Sequence, residues 1–168
     1  MVHLRATAKL LRSLTLSEPT DTPSDTALGD WYAKRLVIDR IPILLMVSSR
    51  SLLPILLRAR NVRELPDTLP GIVRARLHRL GVPPARIDAE IDAMELVRVS
   101  KTRDRSVLGV LVDFGKLLPY YLPEGWNEGD FIEAEGKLQT TPCYCSRPAR
   151  EVVVPDRDTL TALRDRWG

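Results

Sequence analysis

The chain reads as a single α+β domain over residues 1–168, a small mixed β-sheet packed against an αα-hairpin and a largely buried helix. Three observations predict it. Short apolar stretches near Val2, Ile41, Leu52 and Val97 alternate with polar residues or run uninterrupted, as half-buried and central strands do. Leu69, Ile72, Val73, Leu77 and Leu80 recur at helical spacing, Gly81 and Pro83 stop the run, and Ile87, Ile91 and Met94 begin another, so two helices fold back on each other. From Val107 to Leu118 apolar residues fill most of a helical circumference at about 100° per residue, leaving one narrow polar strip.

Each element has its own signal. Val2, Leu4 and Ala6 alternate with His3, Arg5 and Thr7, which predicts a half-buried strand with His3 towards solvent. Lys9 to Leu14 is a helical turn, and Thr15 to Gly29 collects Ser, Thr, Asp and proline as an exposed loop that tolerates insertions. Asp30 is placed to cap a short helical turn, with Trp31 and Tyr32 as core anchors. Pro42 precedes the apolar run to Val47, a central strand, and Ser48 to Ser51 then turns the chain. Pro54 confines Leu52 to Leu57 to a sheet edge if that stretch is a strand, a short helix being the alternative. On the first long helix Arg74, Arg76 and Arg79 spread round the outer side and His78 sits on the surface; on the second, opened by Pro83 and Pro84, the residues Asp88, Glu90, Asp92 and Glu95 lie outside the apolar stripe. Leu96 to Ser100 is a strand running straight into Lys101. Pro119 to Pro148 has no sustained period and reads as an irregular wrap, followed by an edge strand at Glu151 to Val154 and a terminal helix docked through Leu160, Leu163 and Trp167.

Composition sets bounds on function. Apolar residues at 44% and charged residues at 28% are ordinary globular values, and the run from Ile41 to Val47 is far short of the ~20 residues that span a bilayer. No membrane association is expected, and the basic residues scattered through the first dozen positions do not form a secretory signal, so a cytoplasmic location is expected. Cys143 and Cys145 are spaced badly for a disulfide and read as reduced thiols; with His3 and His78 remote in sequence, no metal site is expected. The net charge of +3 is uneven: Arg58, Arg60, Arg63, Arg74, Arg76 and Arg79 gather in one segment, and Glu124, Glu128, Asp130, Glu133 and Glu135 in another. Such polarity either steers an acidic partner to one face or is solvated helix surface.

No phosphate-binding loop, dinucleotide fingerprint, zinc-protease or hydrolase motif is present, and no cofactor is implied. The one patterned stretch is Lys101 to Lys116. Lys101, Thr102, Arg103 and Arg105 stand where a strand hands over to a helix, and Arg105, Ser106, Gly109 and Asp113 then share the polar strip. A helix start favours anions, so phosphate fits there; against it, Asp104 would occupy the same N–H groups as a cap. Arg105 and Asp113 lie about 12 Å apart along the axis, so each either faces a ligand or pairs elsewhere in the fold. Gly109 costs about 1 kcal/mol against alanine in mid-helix, which calls for a closely packed backbone or a ligand.

At these residues the chain resembles a bacterial family of unknown function, domain of unknown function 6933. The resemblance rests on Lys9-Leu-Leu11, on Gly29, Trp31, Ala33, Leu36, Ile38 and Arg40, on Ser51 to Leu56, and on Lys101, Thr102, Arg105 to Gly109 and Asp113, covering most of residues 1–122; the remainder, 123–168, is the wrap and terminal helix. Val110, Leu111 and Val112 stand where the family usually has Ser-Met-Asn, and Lys34-Arg35 replaces an asparagine and an apolar residue. The resemblance implies a fold and a choice of residues and brings no activity. Two functions are therefore weighed. A non-enzymatic binding module would engage nucleic acid or a protein partner through the arginine-rich face; a small enzyme or ligand-binding protein would take a phosphate-bearing molecule at Lys101–Arg105. The first is favoured because no convergent acid, base or metal set is visible.

Overall fold

A computed structural model describes residues 1–144 and 152–168. Five strands, β1 (Val2–Ala6), β2 (Trp31–Ile38), β3 (Ile41–Ser48), β4 (Pro54–Arg58) and β5 (Val97–Lys101), form a mixed sheet in the order β4-β3-β2-β1-β5. β1 runs parallel to both β2 and β5, whereas β2, β3 and β4 form an antiparallel meander. The helices divide between the two faces. On one lie α1 (Ala8–Leu11), the α2 (Leu65–Arg79) and α3 (Pro84–Asp92) hairpin, and α6 (Pro155–Trp167). On the other lie α4 (Arg105–Tyr121), α5 (Phe131–Gln139) and the small β6 (Cys143–Tyr144) and β7 (Val152–Val153) pair.

Burial on both faces explains the uninterrupted run in β3. Leu44 and Met46 enter one core while Ile43, Leu45 and Val47 enter the other, so neither set of alternate positions tolerates a polar side chain. Trp31 and Tyr32 are the predicted anchors and are fully buried, one in each core. They do not start a helical turn. Trp-Tyr-Ala-Lys-Arg-Leu-Val-Ile is a full strand, and the Asp30 carboxylate that read as a cap is engaged by Arg5 and Ser24. Pro54 does place β4 at the sheet edge.

Three more expectations are corrected. His3 is buried, because the polar face of β1 is roofed by the loop before β2; Nε2–H donates to the Thr22 carbonyl at 2.8 Å, which leaves Nδ1 to accept from the Ser100 hydroxyl at 2.8 Å. Residues 26–29 of the loop read as exposed are buried as well, Ala27 and Leu28 in the core on the other face of β1. Glu90 and Arg76, read as outward-facing, are 0% and 2% exposed. The wrap is not irregular throughout: α4 continues through Pro119, whose missing N–H falls in its last turns, and α5 follows an Asn127–Asp130 capping box. Of the predicted terminal contacts Leu163 is buried and Leu160 is 40% exposed. Cys145, Pro148 and Glu151 lie outside the described residues.

Candidate functional site

β1 and β5 are parallel neighbours, and the chain leaves them towards opposite faces. After β1, Leu10 of α1 joins one core; after β5, Val107 and Leu111 of α4 join the other. In such sheets a crevice opens at the carboxyl ends of the strands where the connections diverge, a common place for ligands. Here the crevice has a volume of about 300 Å³ and is lined by Arg5, Lys101, Thr102 and Arg103, with Ser17 and Asp21 from the loop that follows α1. That loop is held against the free edge of β5: Ser17 N–H donates to the Val99 carbonyl at 3.0 Å, and Val99 N–H to the Ser17 hydroxyl at 2.9 Å.

Arg5 is set from beneath. Its Nε donates to Asp30 in a short bond, its Nη1 donates to the Lys101 carbonyl at 2.9 Å, and the Ser24 hydroxyl donates to the other Asp30 oxygen at 2.6 Å. The pair fixes the carboxyl end of β5 to β1. Lys101 and Arg103 are exposed and, among the described residues, neither side chain forms an ion pair or hydrogen bond. The start of α4 itself is closed to anions, because Asp104 accepts from Ser106 N–H at 2.8 Å and from Val107 N–H at 3.4 Å. Asp104 N–H in turn donates to the Tyr32 hydroxyl at 3.2 Å; burial pushes the Tyr32 pKa up, and this bond opposes the rise.

The seven candidate residues are thereby divided. Lys101, Thr102 and Arg103 line the crevice at the strand ends, while Arg105, Ser106, Gly109 and Asp113 line a separate cleft of about 380 Å³ between α4 and Thr141–Tyr144. Val110, Phe114 and Leu117 floor that cleft. Arg105 and Asp113 are exposed, and no described residue pairs with them. The exposed side of α4 is broader than one seam, with Val112 41% exposed. Gly109 has no packing reason, since a Cβ there would meet nothing within 4 Å. Gly109→Ala is accordingly expected to stabilise the protein by about 1 kcal/mol, measured by chemical denaturation; a loss of stability would mean a neighbour does close on that position.

The arginine-rich segment spends much of its charge internally. Arg76 and Arg79 pair with Glu135 at 3.3 and 3.0 Å, Arg60 with Glu128 at 3.2 Å, and Arg74 with Asp88 at 2.6 Å. The basic and acidic segments of the sequence thus meet each other. Arg5 and Arg50 were not singled out from sequence; alternation placed Arg5 on a solvent face that the fold covers.

The fold and crevice define an α+β domain with a cationic pocket at the ends of parallel strands. A family model described as Domain of unknown function (DUF6933) matches residues 3–158, and the chain belongs to that family. The match runs past residue 122, where the motif resemblance ends. No curated protein and no solved structure matches the chain. Among the described residues no helix is long and apolar enough to cross a membrane, and no group of three or more His, Cys, Asp or Glu is gathered to hold a metal.

Proposed function

We propose that the protein is a non-enzymatic binding protein of the bacterial cytoplasm that takes a small phosphate-bearing molecule at the Lys101–Arg103 turn. The observation that carries this reading is the convergence of two cations without a carboxylate partner, Lys101 and Arg103, beside the Asp30-paired Arg5, on one crevice with Asp21 as its only carboxylate among the described residues. Side chains, rather than the capped helix start, supply the positive field. Burial holds Arg5 in place through Asp30, so its guanidinium is oriented before a ligand arrives. His3, the one histidine near the crevice, has both ring nitrogens engaged and offers no free acid or base. The internal pairing of Arg60, Arg74, Arg76 and Arg79 favours this reading over a nucleic-acid or protein partner on the arginine face.

The test is a thermal and denaturant titration with inorganic phosphate. A ligand at a hundredfold excess over its dissociation constant stabilises the folded state by about 2.7 kcal/mol. Lys101→Ala and Arg103→Ala are expected to remove that gain and leave the ligand-free protein unchanged, since neither side chain is paired. Absence of any stabilisation by phosphate, sulfate or nucleotides would end the proposal.

A further inference from the structure

Resting on the anion site just proposed, we infer that the ligand carries two adjacent phosphates, one on each side of Arg103. Arg103 lines two cavities. Beyond the crevice shared with Lys101 and Arg5, it also walls a smaller, largely polar cavity of about 190 Å³ with Asp30, Tyr32, Ser49, Arg50 and Asp104. Leaving aside Arg5, which is paired with Asp30, each cavity therefore adds one cation of its own, Lys101 in the crevice and Arg50 in the smaller cavity, to the one they share.

The second cavity is a built one. Arg50 is fixed at its backbone, where its N–H donates to the Leu28 carbonyl at 3.1 Å, and at its head, where Nη1 donates to the Thr26 and Ala27 carbonyls at 3.1 and 3.4 Å. The residue nevertheless remains exposed, so the rest of the guanidinium is open to a ligand. Two left-handed backbone positions hold this arrangement, a glycine that adopts one without strain and a leucine that does not. Gly29 has φ +77° and comes so close to the next loop that a Cβ would lie 2.3 Å from the Ser49 hydroxyl. Leu52, fully buried, has φ 60°, a conformation that a branched apolar side chain rarely adopts. Strain of this kind persists where the surroundings impose it, and it collects at ligand clamps. Here it sets the turn that carries Ser49 and Arg50.

The carboxylates in this cavity are already committed. Asp30 accepts from Arg5 and Ser24, and Asp104 caps α4. Asp30 is offset by Arg5 and the Asp104 oxygen is engaged by the first N–H groups of α4, which leaves Arg50 and Arg103 as the charged donors that line the space. A single phosphate satisfies one cavity. A diphosphate bridges both, with Arg103 between its two groups, and gains a second charge-assisted contact at little further orientational cost.

Calorimetric titration of the intact protein with inorganic phosphate and with pyrophosphate tests this directly. Pyrophosphate is expected to bind at least about tenfold more tightly than phosphate, the scale of one added charge-assisted contact. Arg50→Gln should erase that advantage, bringing pyrophosphate affinity down to that of phosphate, and its melting curve reports whether the loop has stayed folded. ADP compared with AMP identifies the source: a matching preference for ADP marks a nucleoside diphosphate, and a preference confined to pyrophosphate marks a smaller diphosphate. Phosphate binding with no gain for pyrophosphate overturns the two-phosphate inference and leaves the single site standing. Failure of both anions to bind removes both readings together.

Discussion

Replacing Glu135 by alanine is expected to destabilise the protein by about 3–5 kcal/mol, the cost of leaving a buried charge without its partner. The Arg76 and Glu135 side chains are each 3% exposed. They do more than neutralise one another. β4 is an edge strand, and its outward backbone groups are met by this pair: Arg76 Nε donates to the Pro54 carbonyl at 2.9 Å, and Leu56 N–H donates to Glu135 Oε2 at 3.2 Å. An ion pair between α2 and α5 thus stands where a sixth strand would otherwise bond, and it blocks the edge against another chain. Arg76 is further held by the Gln139 side-chain oxygen at 2.6 Å, and Arg79 approaches Glu135 from the solvent side at 3.0 Å. Burial pushes the Glu135 pKa up and the Arg76 pKa down, each opposed by the attraction of the other. Denaturant unfolding of Glu135→Ala measures the loss. The double variant Glu135→Leu with Arg76→Met should recover part of it, because no charge is stranded, yet remain about 1–3 kcal/mol below the parent since Pro54 and Leu56 lose their partners. A double variant equal to the parent would reduce the pair to an ordinary buried salt bridge. Loss of less than 1 kcal/mol in the single variant would remove the edge role altogether.

The same carboxylate explains why α5 was hard to read. Phe131, Ala134, Glu135 and Leu138 lie on one buried face at helical spacing, and a glutamate in that set makes the apolar period look broken. α4 was legible because its buried positions are all apolar and Asp104 stands where a cap belongs. β3 was legible for a related reason, since burial on both faces leaves an unbroken apolar run. β2 was lost at its first residues: Asp30 followed by two aromatics is an acceptable helix start locally, and only the distant Arg5 reveals what the carboxylate does. The candidate stretch is legible from its charge, but its division between two cavities depends on where α4 begins, with Lys101 to Arg103 before it and Arg105 to Asp113 on it, and on loops far away in sequence. Arg50 shows the limit most clearly. Nothing near it in sequence points to Arg103, and the two meet only because β2 and β3 bring their ends beside the start of α4.

Glu90→Ala is expected to cost about 3 kcal/mol or more, because one fully buried carboxylate satisfies three separate donors, each worth about 1–3 kcal/mol when left unpaired. Glu90 sits on α3 and accepts from the N–H groups of Ala27 and Leu28 at 2.8 and 3.0 Å and from the Trp167 indole at 2.7 Å. It joins three segments remote in sequence: the loop before β2, the α2–α3 hairpin and the end of α6. The loop it holds is the one on which Arg50 rests, through the carbonyls of Thr26, Ala27 and Leu28. Loss of Glu90 should therefore reach the proposed ligand site as well as the fold. Glu90→Gln keeps one acceptor oxygen but turns an amide towards the remaining donors, so an intermediate loss is expected. Denaturant unfolding gives the global cost, and amide exchange at Ala27 and Leu28 reports the local one, where protection should fall more than in the sheet. If Glu90→Ala unfolds within 0.5 kcal/mol of the parent, with Ala27 and Leu28 still protected, the loop is held by its apolar packing instead and the carboxylate is not its clasp.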